Sequence, residues 1–278
     1  MTLPSLFISH GAPTFALTPG QLGPQLRALG EALPRPRAVL VMSPHWSSAT
    51  LTVDAAAHPA TVHDFNGFGA KLHTLDYPAP GAPEVAESLV NMLASHGLKV
   101  VRTTSTGRDH GTWVPLMHLY PAADVPVLRL SQPYAPSPLA LLELGRAVAA
   151  LRDQGVLIVG SGSLTHNLYE LGAGNAQAAY ADDFAQWIWD RIADGDLDAL
   201  LNYRTQAPAA TRAHPTDEHL LPLFFAIGAA GADWAHAQRL RGGITYDVVS
   251  MDSFIFSPDR GEHRETAAVE STQTMELL

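Results

Sequence analysis

The sequence predicts one α/β domain, and three observations carry that reading. Short apolar runs alternate with longer helical patterns along most of the chain, the order that builds a sheet with helices packed against it. The run from Val39 to Met42 reads as a strand buried on both faces, and at its C-terminal end it breaks into Ser43, Pro44 and His45. The same pattern occurs twice more. Leu6-Phe7-Ile8 runs into Ser9-His10-Gly11, and the apolar run from Val156 to Val159 leads through Gly160 to His166 and Asn167. Ligands of α/β sheets sit beyond the carboxyl ends of the strands, so three strands that each deliver a histidine there point to a metal site.

The first βαβ unit consists of a strand over Ser5–Ser9, a helix within 21–33 and a strand over 38–43. Gly20 and Pro24 mark the start of the helix, and Pro34-Arg35-Pro36 ends it. A right-handed crossover makes these strands parallel and brings His10 and His45 to one edge. A strand at 51–53 precedes a long loop over 58–81 that carries His63, Asp64, Phe65, Asn66, Gly67 and Phe68. Loops of this length without secondary structure of their own are commonly functional. A helix over 83–96 follows, with Pro83 in its first turn and Gly97 at C′. A strand over 99–103 then leads into the glycine-containing turn 107–111, and 113–120 reads as a short helix stopped by Pro121.

After a strand over 127–131, Ser137 caps a helix with Pro138 at its first position and Gly155 beyond its end. The C-terminal third is more helical, with helices over about 176–192, 197–203 and 218–229; Pro222 lies near the first turn of the last and is tolerated there. Late strands are expected over 246–250 and 254–256. With no repeat and no linker, 1–257 is expected to form one catalytic domain. The polar stretch 258–278 is expected to be a disordered tail.

Composition removes several function classes. Hydrophobic content of 46% in 278 residues supports a sizeable core. The formal net charge of −10, with no basic run, argues against nucleic-acid and anionic-membrane partners. No apolar run reaches the roughly 18–20 residues needed to span a bilayer. Met1-Thr2-Leu3-Pro4 lacks the basic start of a signal peptide, so a cytoplasmic location is expected. The absence of cysteine excludes disulfides, thiolate nucleophiles and thiolate metal sites together. There is no HExxH, no Walker A and no GxGxxG after a strand, and Ser161-Gly162-Ser163 is not a nucleophile elbow.

Thirteen histidines remain to be sorted. A lone histidine is by default a surface or core residue, and His58, His73, His96, His118, His214, His236 and His263 are read that way. His10 and His45 stand apart because two strand ends converge on them. His166 shares that geometry, with Gly160-Ser161-Gly162 allowing close backbone approach. His110, in a glycine-containing turn, suits a catalytic acid or base. Glu218-His219 offers either a carboxylate or an imidazole, against the plain alternative of a helix-start glutamate. Imidazoles with one further donor suit Zn(II) or Fe(II), and two histidines plus a carboxylate is the non-haem iron arrangement. The residues by themselves describe a metal-dependent enzyme with spare histidines for proton transfer.

Seven segments in order add a resemblance: SHGAP (9–13), SPHW (43–46), HDFNGF (63–68), YPAPG (77–81), DHGTW (109–113), SGSLTHNL (161–168) and EHLLPL (218–223). Together they resemble the class III extradiol ring-opening dioxygenases with a LigB-type catalytic subunit, in the branch similar to DOPA 4,5-dioxygenase. The resemblance implies a single α/β domain with a mixed central sheet flanked by helices on both faces. Carried over by motif, His10, His45 and His219 are metal ligands. His166 lies beside the metal as a ligand or as the acid/base, and His110 lines the substrate pocket, so His110 and His166 are the expected catalytic residues. Other class III enzymes use a glutamate as third ligand, whereas here His219 matches the branch motif beside Glu218.

The implied cofactor is one divalent ion, Fe(II) for catalysis, with Zn(II) also seen in members of the branch. The implied partners are a small catechol-type aromatic and O2. A flat aromatic substrate needs apolar walls and a few polar anchors, so His63, Asp64, Phe65 and Phe68 are expected to cover it. Two other readings use the same residues: a zinc hydrolase that activates water, and a non-catalytic relative of the fold, against which the nearly full set of motif histidines speaks.

Overall fold

The apolar runs that end in histidine form the middle of a six-stranded sheet in the computed structural model, which describes residues 1–172 and 175–258. Its strands are β1 (Ser5–Ser9), β2 (Ala38–Met42), β3 (Val127–Arg129), β4 (Val156–Gly162), β5 (Ala237–Leu240) and β6 (Ser253–Phe256), in spatial order 3-2-4-1-6-5. The pairs β3·β2, β2·β4 and β4·β1 are parallel, while β6 runs antiparallel to β1 and β5 antiparallel to β6. The sheet is therefore mixed. Every residue of β1, β2, β4 and β6 is buried, as a sheet covered on both faces requires. Because β2, β4 and β1 are neighbours and point the same way, their carboxyl ends open on one edge.

Helices cover both faces: α1 (Leu22–Ala32), α2 (Pro83–Ser95), α3 (His110–Leu119), α4 (Pro138–Val148), α5 (Asn175–Ala193) and α6 (Pro222–Ala230). Strand β4 shows the division through its alternating side chains. Ser161 Oγ donates to the Gly111 carbonyl on the α3 side. On the opposite face, a Cβ at Gly160 or Gly162 would lie 2.1 Å from the Pro222 oxygen or 2.2 Å from the His219 oxygen. These glycines let α6 and the turn before it press onto the strand. Helix α6 is apolar all round and buried throughout, because α4 covers its far side. That crossing is equally close: a Cβ at Gly228 would meet the Leu142 oxygen at 2.0 Å, and one at Gly145 the Phe225 oxygen at 2.2 Å.

Several elements differ from expectation. The strands Leu51–Asp54 and Val100–Thr103 form, but they pair with each other in parallel, outside the main sheet. Helix α3 starts at His110 rather than 113, because the Asp109 side chain accepts from the Thr112 amide and caps it. His110 is thus the first helical residue and does not sit in a free turn. The last helix starts at Pro222 instead of 218. Pro at the first helical position loses nothing, and the Leu220 and Leu221 amides close a separate turn onto the Asp217 carbonyl. The helix expected over 197–203 divides into Leu197–Leu201 and Tyr203–Gln206.

The strand expected over 246–250 shortens to Val249–Ser250, paired with Ile244–Thr245. Tyr246 and Asp247 turn the chain with φ of 51° and 66°. Strand β5 (AQRL) escaped sequence reading because it pairs only with β6 and lacks an apolar run. The tail over 258–278 lies outside the described residues apart from Pro258. No described helix is long and apolar enough to cross a membrane.

Candidate metal centre

Two motif loops are welded together before any histidine is placed. Arg129, buried at the end of β3, donates to Asp109 Oδ2 at 2.6 Å and lies under the Trp46 ring, 4.4 Å from its centroid. Ser43 Oγ donates to Asp109 Oδ1 at 2.7 Å. Asp109 therefore binds the SPHW loop and caps α3 with the same carboxylate. Gly111 permits this closeness, since a Cβ there would lie 2.5 Å from Ser43 Oγ and 2.9 Å from His45 Cδ2. The space beside Gly111 is filled by protein. Arg129 is what sequence reading missed; Asp109, which its place beside His110 suggests as the group orienting that imidazole, instead caps α3 and binds Ser43 and Arg129.

Three imidazoles then converge through their Nε2 atoms. His45 Nε2 stands 3.1 Å from His10 Nε2 and 3.3 Å from His219 Nε2. Donors roughly 2.0–2.1 Å from one ion at tetrahedral angles stand about 3.3 Å apart, so the spacing fits a shared metal. The Nδ1 atoms face other partners. His10 Nδ1 is 3.0 Å from Ser161 Oγ, whose hydrogen goes to the Gly111 carbonyl, so the ring donates. His219 Nδ1 is 3.1 Å from Glu218 Oε1, and His45 Nδ1 is 3.6 Å from Asp64 Oδ2. A proton held on Nδ1 of His10 and of His219 leaves the Nε2 lone pair of each ring free, as in metal-ligating histidines, while His45 Nδ1 lies beyond hydrogen-bond distance of Asp64. Burial, reinforced by the neighbouring imidazoles, pushes His10 and His219 well below the usual histidine value. Burial and His110 bring His45 to about 4. All three are neutral at pH 7 and ready to coordinate.

His110 and His166 flank this triad differently. One ring nitrogen each of His10, His45 and His110 lies within 4.8 Å of the other two. His110 Nδ1 is 3.0 Å from Asp64 Oδ1. His166 stacks flat on His219, with ring centroids 3.5 Å apart and planes inclined by 10°. His166, Glu218 and His219 also each offer one ligand atom within 4.8 Å of the other two. Burial brings His166 to about 4, so it too is neutral at pH 7.

The 63–68 segment reaches the site through its middle. Phe65, only 6% exposed, meets the His110 ring edge-on at 5.7 Å and packs on Trp113. Phe68 lies one layer out, half-buried, against Phe65 at 5.6 Å. His63 uses its Nε2 on the Leu75 carbonyl at 3.0 Å, and its ring rests against Phe65 and Trp113. The far end of the long loop is clamped by buried Arg108, which donates to the carbonyls of Ala79, Pro80 and Val127. Separately, a cavity of about 340 Å³ lies between Ala12, Phe15, Leu22, Tyr246 and Met251, and no predicted site residue lines it. His118 and His214 are core residues, bonded to the carbonyls of Phe15 and Leu164.

Residues 10–253 match the family described as the catalytic LigB subunit of aromatic ring-opening dioxygenase. The 4,5-DOPA dioxygenase extradiol of Beta vulgaris is 37% identical over 258 residues, covering 91% of this chain and 96% of that protein. The protein of the same description from Escherichia coli (strain K12) is 36% identical over 232 residues, covering 82% and 85%. The crystal structure of an uncharacterized Escherichia coli K12 protein superposes with a TM-score of 0.76 at 31% identity, covering 92% of this chain and 100% of that one. Family, fold and a metal-ready histidine cluster at the carboxyl edge of the sheet agree: the chain belongs to the LigB family and is a metal-dependent extradiol ring-opening dioxygenase that acts on an aromatic substrate with O2.

Proposed function

We propose that His10, His45 and His219 hold one Fe(II) ion, that the substrate is a catechol of the DOPA kind, and that His110 is the principal proton acceptor. The observation that supports this most is the spacing of the three Nε2 atoms, 3.1 and 3.3 Å, with each Nδ1 turned toward an oxygen. Glu218 then acts through His219, fixing its tautomer, and is not itself a ligand. Held by these three imidazoles, an Fe(II) ion would supply the redox chemistry of the reaction.

The chain's own residues do the rest. His110, its Nδ1 proton committed to Asp64, presents Nε2 to a substrate hydroxyl and takes its proton as the ring binds. His166, neutral and stacked on His219, serves as a hydrogen-bonding and proton-transfer group; we assign it that role in place of fourth ligand. Phe65 forms the wall beside His110, and Phe68 and His63 complete the cover over the aromatic ring. A cytoplasmic setting belongs to the same proposal, in keeping with a chain that has no cysteine.

The test is anaerobic loading with Fe(II) or Zn(II), followed by oxygen uptake against a panel of catechols that includes DOPA. Stoichiometric uptake by the Fe(II) form alone is expected. Uptake by neither form, with ester or amide turnover by the Zn(II) form, would replace Fe(II)–catechol chemistry with hydrolysis.

A further inference from the structure

One carboxylate stands between two site histidines that come from different elements. Asp64 Oδ1 accepts from the His110 backbone amide at 2.9 Å and lies 3.0 Å from its Nδ1. Its Oδ2 lies 3.6 Å from His45 Nδ1. Asp109, adjacent to His110 in sequence and the obvious choice to orient it, is already committed to Ser43, Thr112 and Arg129. The orienting group comes instead from 46 residues away, out of the long loop.

We propose that Asp64 is a positioning residue: it fixes His110 in the tautomer that presents Nε2 to the substrate, and in doing so couples the 63–68 loop to the metal centre. For the neutral ring the geometry favours one tautomer. Asp64 Oδ1 meets two groups of His110 within hydrogen-bond distance, the backbone N–H and Nδ1, so its lone pairs are turned toward that residue. An ionised carboxylate only accepts, so Nδ1 of His110 carries the hydrogen. The same oxygen satisfies the first amide of α3, one of the helix-start donors that have no partner within the helix. Phe65, the next residue, rests on the ring that Asp64 orients, so one loop segment both aims the base and walls it. This inference rests on the assignment of His110 as proton acceptor, and its first measurement is independent of metal and turnover.

Nitrogen-15 spectra of the metal-free protein distinguish Nδ1–H from Nε2–H imidazoles, with His110→Gln identifying the His110 signals. The wild-type ring should be the Nδ1–H form. In Asp64→Asn, whose amide can donate as well as accept, the two forms should mix. After loading with saturating metal, that variant should lose kcat by roughly 10–100-fold, the range for groups that orient a site residue, with KM within about threefold. Asp64→Glu, which keeps a carboxylate, should retain the Nδ1–H form and recover part of kcat. A wild-type His110 found as Nε2–H overturns the proposal without any variant. A raised KM with unchanged kcat in Asp64→Asn also overturns it, making Asp64 a substrate contact. A failure of Fe(II)–catechol turnover would leave the tautomer result standing, so the two ideas fail separately.

Discussion

A single histidine in this chain is defined by which of its nitrogens is occupied. His219 and Glu218 are neighbours and both are chemically able to bind a metal, yet Glu218 Oε1 lies on His219 Nδ1 while His219 Nε2 faces His45. Replacing His10, His45 or His219 by Ala should therefore abolish stoichiometric metal in elemental analysis. Glu218→Gln should retain most metal and weaken its affinity by about 10–100-fold, as loss of an orienting partner does. Full metal in both His10→Ala and His45→Ala would place the ion elsewhere. At the loop, Phe68→Ala should raise KM for catechols at unchanged metal content. Phe65→Ala should also lower stability by about 3–5 kcal/mol, since Phe65 is packed against His110 and Trp113. Equal melting temperatures for the two variants would contradict that ranking.

Between elements, glycines set distances that side chains then exploit. The turn carrying His219 is held on β4 by the Ser163 amide, which donates to the His219 carbonyl at 2.8 Å, and Gly162 leaves room for it. Gly162→Ala should push that turn away and lower metal content. Gly145→Ala, where α4 crosses the far side of α6, should cost about 1–3 kcal/mol in stability and leave the metal in place. Elemental analysis beside thermal melts separates the two, and metal loss in both variants would show that α6 moves as a rigid body. These glycines were visible in the sequence as a means of close approach to His166. What Gly160 and Gly162 admit is the backbone of Pro222 and His219, which arrives 62 and 57 residues later in the chain, so their partner was not legible.

Across the whole molecule, burial holds a group of histidines neutral. His45, His166 and His214 are each lowered to about 4, chiefly by burial, and burial also holds His10 and His219 well below the usual histidine value. A histidine whose folded value lies below its unfolded value of about 6.5 stays unprotonated in the native state while the unfolded chain takes up protons. The contribution of these histidines to the stability of the metal-free protein is thus fully present above pH 6.5 and falls progressively as pH drops from 6.5 toward 4. For His214 alone the shift corresponds to roughly 3 kcal/mol over that window. His214→Leu should be less stable at pH 7, because the Leu164 carbonyl loses its donor, yet show a shallower decline between pH 6.5 and 4. Denaturant melts across that range measure it, and parallel pH curves for the two proteins would rule out this contribution.

The sequence by itself determined the three strands that carry the histidines, the parallel direction of β1 and β2, and the edge on which the site opens. A strand buried on both faces must be an unbroken apolar run, and a histidine placed just beyond it is local information. It also determined family membership, through seven short motifs in order. Tertiary structure alone decided the partners: that Asp64 rather than Asp109 meets His110, that Glu218 meets His219 Nδ1, and that His166 stacks on His219. Each of these contacts joins segments, or chooses between adjacent side chains, on the basis of direction. Direction depends on how loops and helices pack over the sheet, and no residue pattern along the chain encodes it.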